Sequence, residues 1–175
     1  MQKWNEAISL VGPHMTTAVL DREIDDSRRL LKELDGPSIV DFGSGNGLPA
    51  IPLAIERPDW SFTLVEADRR KAAFLNAVRR ALGLINVTVL TDRIERLVPL
   101  DAREITARAF APLDRLIALA LPHLADDGRL VLSKGPAVSH EIENARKTFS
   151  FAYEITPHPQ ARGCTLTVAN IGPRA

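Results

Sequence analysis

The chain has 175 residues, 45% hydrophobic and 25% charged, which fits one domain with a sizeable core. Its 22 basic residues balance 22 acidic ones, so the net charge is zero, which argues against a protein that coats nucleic acid non-specifically and leaves any basic surface to segregation of charge between faces. One cysteine, Cys164, excludes a disulfide framework or a cysteine-based zinc site within the chain, no apolar run reaches the ~18 residues of a membrane helix, and no signal-peptide pattern opens it, so a soluble, cytoplasmic protein is expected.

Lys3-Trp4-Asn5 stands near the start, and Trp4 reads as a packing anchor rather than a base-stacking platform. After Gly12-Pro13, Thr16 or Thr17 caps a helix to about Leu34, with Leu20, Ile24, Leu31 and Leu34 on one face. Gly36-Pro37 ends it, so residues 1–36 form an N-terminal helical region and 37–175 a core, one domain in all. Ser38, Ile39, Val40 and Phe42 suit a buried parallel strand. The loop Gly43-Ser44-Gly45-Asn46-Gly47-Leu48 follows, and Pro49 takes the first position of a helix to about Glu56, with Pro52 tolerated in its first turn. The second strand is Ser61 to Glu66. A helix from Arg69 to Leu82 turns Phe74, Leu75, Val78 and Leu82 inward and Arg70, Arg79 and Arg80 outward, and Gly83 closes it. Asn86 to Leu90 is strand three, followed by Thr91 to Glu95. Strand four, Glu104 to Ala107, ends at Arg108. Pro112 starts a helix with Leu113, Leu116, Ile117, Ala120 and Leu124 inward. Asp126-Asp127-Gly128 turns into strand five, Arg129 to Ser133, which ends in Lys134-Gly135-Pro136. Residues 138–148 read as helix. Phe151–Thr156 and Thr165–Asn170 read as a terminal antiparallel pair, with His158 and Arg162 as plain loop residues between them. His14, His123, His140 and His158 show no metal-ligand spacing, so no metal is expected.

Strand, glycine loop and helix start together make a nucleotide-binding turn. Glycines let the backbone approach a ligand, and the helix N-terminus offers free N–H groups and a positive dipole end. The spacing is G-x-G-x-G, not the dinucleotide G-x-G-x-x-G. Glu66 closes the next strand about 20 residues on, where a ribose-binding carboxylate is required. The pair reads as a site for an adenosine-bearing cofactor. Five βα steps predict a doubly wound parallel sheet with its site at the carboxyl ends of the strands. Arg108 and Lys134 stand at that edge. A guanidinium there grips a carboxylate or phosphate bidentately, and Lys134 is a second candidate for phosphate contact. The alternatives are a surface ion pair for Arg108 and a solvated lysine for Lys134. Asp41 is a strand-end structural acid or a partner for the cofactor's amino group.

The runs DFGSGNGLPAIPLAIERP, LVEADRRKAAFL, ARAFAPL and LSKGP resemble the RsmG (GidB) family, from Lys3 to about Pro136. That family consists of S-adenosylmethionine-dependent methyltransferases that modify N7 of a guanine in 16S ribosomal RNA. The resemblance implies a Rossmann-like class I methyltransferase fold, α/β, with a seven-stranded mixed sheet and helices on both faces. It implies S-adenosylmethionine as cofactor and places Ile94, Glu95 and Arg108 against it; the loop and strand-end reading adds Gly43, Ser44, Gly45, Gly47, Leu48 and Glu66, and Arg108 with Lys134 is expected as the catalytic pair. It implies 16S ribosomal RNA or a small ribosomal subunit precursor as partner, with no membrane or metal, and a monomer is expected. Two departures stand out. The family's R-H-x-x-D-S pattern is Arg22-Glu23-Ile24-Asp25-Asp26-Ser27 here, so Glu23 replaces a histidine, and Ala50 replaces a usual glycine. The family also usually carries a helix before the K-W-N triplet.

Guanine N7 has a lone pair and no proton, so its methylation needs no general base, in keeping with scattered histidines and no legible Ser–His or Cys–His pair. No N-P-P-Y or D-P-P-Y signature of an exocyclic-amine methyltransferase occurs. Two alternatives remain: a small-molecule methyltransferase, which needs a closed apolar pocket, and a degenerate, non-catalytic S-adenosylmethionine-binding relative. An RNA enzyme needs a basic, salt-sensitive mouth around Arg108 and Lys134.

Overall fold

The computed structural model describes residues 16–158 and 163–174; Trp4, His14 and Arg162 lie outside the described residues. Seven strands form one sheet: β1 (Ser38–Phe42), β2 (Ser61–Val65), β3 (Val87–Leu90), β4 (Ala102–Arg108), β5 (Leu124–Lys134), β6 (Phe149–Pro157) and β7 (Cys164–Pro173), in the order β3-β2-β1-β4-β5-β7-β6. The first five run parallel, and β7 is antiparallel to both β5 and β6. Among the described residues five helices cover it: α1 (Thr17–Arg29), α2 (Ala50–Glu56), α3 (Arg69–Ala81), α4 (Leu113–Ala120) and α5 (Val138–Ala145). This is the expected doubly wound mixed sheet.

Burial on both faces explains why the parallel strands read as near-continuous apolar runs. On one face Ile39, Phe62, Leu64 and Val131 pack with Leu30, Leu53, Phe74 and Leu75 from α1, α2, α3 and their flanks. On the other, Phe42, Ile105, Leu130 and Leu132 pack with Leu113, Leu116 and Ile117 of α4 and Ile142 of α5. The strand order reverses between β1 and β4, and a cleft opens at their carboxyl ends, the usual ligand position in open α/β sheets.

Thr16 caps α1, its hydroxyl accepting from the Val19 N–H at 3.3 Å, and Asp68 caps α3 through the Arg70 and Lys71 N–H groups. Pro49 is the residue before α2 rather than its first, which still keeps Pro52 in the first turn. Leu82 lies past the end of α3 and is 53% exposed, so the inward face stops at Val78. Arg79 turns partly inward and donates to the Val87 carbonyl at 3.1 Å. Leu124 begins β5 instead of closing a helix. Asp126-Asp127-Gly128 lies inside that strand, because the β4–β5 register shifts between Ala102 and Glu104 and takes up the extra residues as a bulge. A Cβ on Gly128 would meet the Ala102 carbonyl at 2.7 Å, so the bulge needs glycine there. The helix expected over 138–148 ends at Ala145.

At the opposite edge from the cleft, Glu104 is buried and accepts from the Asp35 and Gly36 N–H groups and from Nε and Nη2 of Arg129, at 2.6 to 3.1 Å. Arg129 also donates to the Glu33 carbonyl at 2.7 Å. This pair ties the segment after α1 to two neighbouring strands. No helix among the described residues is long and apolar enough to cross a membrane.

Candidate active site

Two cavities meet at the strand ends, sharing Ala109 and Phe110 as a wall. The smaller, about 390 Å³, lies against the glycine loop and is lined by Gly43, Gly45, Glu66, Asp92, Ile94 and Glu95 among others. Gly43 leaves β1 with φ +67° and Gly45 has φ +48°. A Cβ on Gly43 would meet the Phe110 ring at 2.2 Å, so the ring rests directly on the bare backbone. A Cβ on Gly45 would meet only the Gly43 carbonyl, at 3.6 Å, and would fill the cavity instead.

Glu66 is 8% exposed, and both carboxyl oxygens are held: Oε2 accepts from the Gly45 N–H and Oε1 from the Asp68 N–H, each at 2.8 Å. The carboxylate is thereby fixed between the loop and the start of α3. Each oxygen keeps a second acceptor site, which suits two vicinal hydroxyls. Ile94 is buried at the opening of a short 3-10 turn and offers an apolar face. Its carbonyl accepts from Nε2 of buried His123 at 3.1 Å, and the His123 ring meets Phe42 edge-on. Fixed carboxylate, bare loop and apolar face fit an adenosine-bearing cofactor.

Ser44, Gly47 and Leu48 do not line this cavity; they support the loop from behind. Ser44 is buried and donates to the Asp41 carbonyl at 3.1 Å, the Leu48 N–H donates to Asn46 Oδ1 at 3.2 Å, and Gly47 faces Ile51 and Leu75. Asp41 below them is buried. Its Oδ1 accepts from Thr106 at 2.8 Å and its Oδ2 has no hydrogen-bond partner. Burial pushes its pKa up to about 6, offset in part by the Ser44 and Thr106 hydroxyls.

The larger cavity, about 1070 Å³, carries Arg108 and Lys134, which arrive from adjacent strand ends. Arg108 lines this cavity and not the glycine-loop one. Among the described residues, Arg108 and Lys134 are not the free cations of the basic mouth expected here. Arg108 Nη2 is paired with Glu23 of α1, and Lys134 Nζ with Glu141 of α5 at 2.7 Å, because helices from both sides of the sheet bring an acid to each cation. Lys134 also donates to the Ala111 carbonyl at 3.2 Å, and the same Glu141 oxygen accepts from the Leu113 N–H at 3.0 Å. Lys134 therefore braces the start of α4, with 9% of its side chain exposed. Burial also pushes the Arg108 guanidinium below its ordinary pKa, a cost that an adjacent carboxylate offsets. His158, expected as a plain loop residue, is buried at the cavity wall with Nε2 at 3.0 Å from Thr165 Oγ1. Phe110 and Glu141 belong to the site without having been singled out by sequence reasoning. Phe110 follows Arg108-Ala109 directly, and an aromatic just past a strand's carboxyl end is the signal that could have found it.

A family model described as GidB, rRNA small subunit methyltransferase G, matches residues 1–162. A protein from Cereibacter sphaeroides named ribosomal RNA small subunit methyltransferase G is 44% identical over 163 residues, covering 90% of this chain and 78% of that one. A Paracoccus denitrificans protein of the same name is 42% identical, covering 86% of this chain and 79% of its own length. Among solved structures, a SAM-dependent methyltransferase from Aquifex aeolicus superposes with a TM-score of 0.67 at 16% identity, over 95% of this chain and 97% of that one.

Proposed function

The chain belongs to the rRNA small subunit methyltransferase G (GidB) family, and from that membership we propose that it methylates N7 of a guanine in small-subunit ribosomal RNA with S-adenosylmethionine as donor. The observation that carries the site assignment is the pair of cavities joined at Ala109-Phe110, one with a locked carboxylate and bare glycine loop, the other with Arg108.

Bound on the glycine-loop side, S-adenosylmethionine supplies an electrophilic methyl group. Glu66 holds the ribose hydroxyls, Ile94 lies against adenine, and Gly43 and Gly45 leave room for the chain between them. Glu95 stands at the rim of the same cavity. Asp41, with its free Oδ2, underlies the loop and biases it toward a cationic amino group. On the other side Arg108 takes a backbone phosphate and orients the guanine, while Lys134 holds Ala111 and the N-terminus of α4 so that the shared wall keeps its place. Phe110 borders both sites and helps exclude water from the line along which the methyl group passes. N7 gives up no proton, so catalysis rests on alignment and desolvation.

The larger cavity sets Arg22, Glu23, Asp26, Arg108, Lys134 and Glu141 beside Phe110, Pro112 and Cys164, a mixed and charge-rich lining that differs from the closed apolar pocket a small hydrophobic substrate needs. The test is labelled-methyl incorporation into small-subunit ribosomal RNA lacking N7 methylation, followed by mapping of the base. One labelled guanine N7 is expected. Cofactor binding without incorporation, on naked RNA and on the particle, would instead favour a degenerate binder. Arg108→Ala is expected to lower incorporation about 100-fold or more while the thermal unfolding midpoint stays within a few degrees; unchanged incorporation removes Arg108 from the site.

A further inference from the structure

The Glu23–Arg108 pair is the feature of the larger cavity that works against an anionic substrate. The two residues come from separate elements, Arg108 from the end of β4 and Glu23 from the middle of α1. Helix α1 is held independently of Arg108: Arg28 Nε pairs with Glu56 of α2 at 2.9 Å, and Leu30, directly after the helix, is fully buried in the core with Leu53 of α2. The Glu23 carboxylate can therefore leave without unseating the helix. The pair is only partly shielded, with side chains 22% and 26% exposed, so both groups remain within reach of solvent and of a ligand. Its donor use is incomplete. Nη2 meets Glu23, while Nη1 is buried with no hydrogen-bond partner. A phosphate presents several oxygens and satisfies both ends of the fork. The nearby Asp26 also faces the cavity but lies 3.8 Å from Arg29 and is not paired with Arg108.

We propose that Glu23 is a specificity-setting residue, a displaceable counter-ion that occupies the donor edge of Arg108 until a phosphate of the RNA backbone takes it. This rests on the reading of Arg108 as an RNA contact. The exchange leaves Arg108 paired at every stage and releases Glu23 toward solvent. It also sets a repulsive threshold, because an RNA that reaches Arg108 with one phosphate and nothing else gains little over the carboxylate it replaces. Only RNA that makes further contacts is retained.

The experiment is RNA binding and steady-state methylation by the full chain, wild type and Glu23→Gln, with Arg108→Ala, the double variant and Asp21→Asn, an exposed acid of the same helix outside the cavity, alongside. Glu23→Gln keeps the shape and removes the charge. The expected result is an RNA Kd and a KM about tenfold lower with kcat held, no tightening from Glu23→Gln in the Arg108→Ala background, and a change under about twofold for Asp21→Asn. An unchanged or weaker Kd for Glu23→Gln overturns the proposal, as does a fall in kcat with KM held, since Glu23 is then a brace that positions Arg108. Tightening that persists in the Arg108→Ala background also overturns it, because the effect then comes from net charge and not from Arg108. Binding is read directly and methylation separately. A wild-type chain that binds RNA but methylates none refutes the enzymatic reading, whereas normal methylation with an unmoved Glu23→Gln Kd refutes only the exchange.

Discussion

Asp41 is buried beneath the glycine loop with one carboxyl oxygen unpartnered, and burial raises its pKa from 3.8 to about 6. The folded chain therefore holds this proton more tightly than the unfolded chain does. The stability it contributes is fully present below about pH 4 and is lost as pH rises through about 6, for a total of about 3 kcal/mol. Asp41→Asn is expected to remove that component, so its melting temperature falls less than the wild type's between about pH 4 and 6; parallel profiles would show that Asp41 ionises freely in the fold. Glu66 gives a second expectation. Each of its oxygens accepts a backbone N–H, so Glu66→Gln sets an amide donor against one of them. S-adenosylmethionine affinity, read by calorimetry, should fall about tenfold or more, and an unchanged affinity removes Glu66 from the cofactor site. Glu66 was legible in the sequence because its signal is local, an acid at a strand end at a fixed distance from a glycine loop. Glu23 and Glu141 as partners of Arg108 and Lys134 were not. Glu141 is only seven residues from Lys134, yet which helix covers which strand end is decided by crossovers that the sequence does not spell out.

Among the elements, the contact between Glu104 on β4 and Arg129 on β5 decides whether the segment after α1 seats on the sheet. Glu104 is 3% exposed and has a full set of donors, so Arg129→Met leaves a buried carboxylate short of its cation. Urea unfolding is expected to show a loss of about 3 kcal/mol. The contrasting pair, Arg103 with Asp127, is exposed on both sides, and Arg103→Ala should move the same measurement by less than about 1 kcal/mol. Comparable losses for the two would mean that burial does not separate them. Strands β1 to β4 and helix α3 were readable to within a residue or two because two-sided burial and capping leave strong marks. The bulge in β5 was not, since Asp-Asp-Gly serves equally as a turn or as extra residues within a ladder, and only the neighbouring strand's register separates the two. Leu82 was misread for a related reason: it continues the apolar spacing of α3 one step past where the helix stops.

For the whole molecule, a cofactor that binds only the folded chain must raise its thermal stability. At a hundredfold excess over Kd the gain is about 2.7 kcal/mol, which for a chain of this size lifts the melting temperature by roughly 5–10 °C. A flat thermal shift with S-adenosylmethionine would leave the glycine-loop cavity without its ligand. The pairing of Arg108 and Lys134 with glutamates has a further, kinetic meaning. With Arg108 and Lys134 each paired to a glutamate and 22 bases against 22 acids in the chain, those two cations add little to any long-range field that draws in a polyanion. To the extent that encounter with RNA depends on those two cations, it proceeds near the unsteered rate of about 10⁵–10⁶ M⁻¹s⁻¹. Discrimination is left to residence time: a correct site is kept because it dissociates slowly, and an incorrect one escapes before reaction.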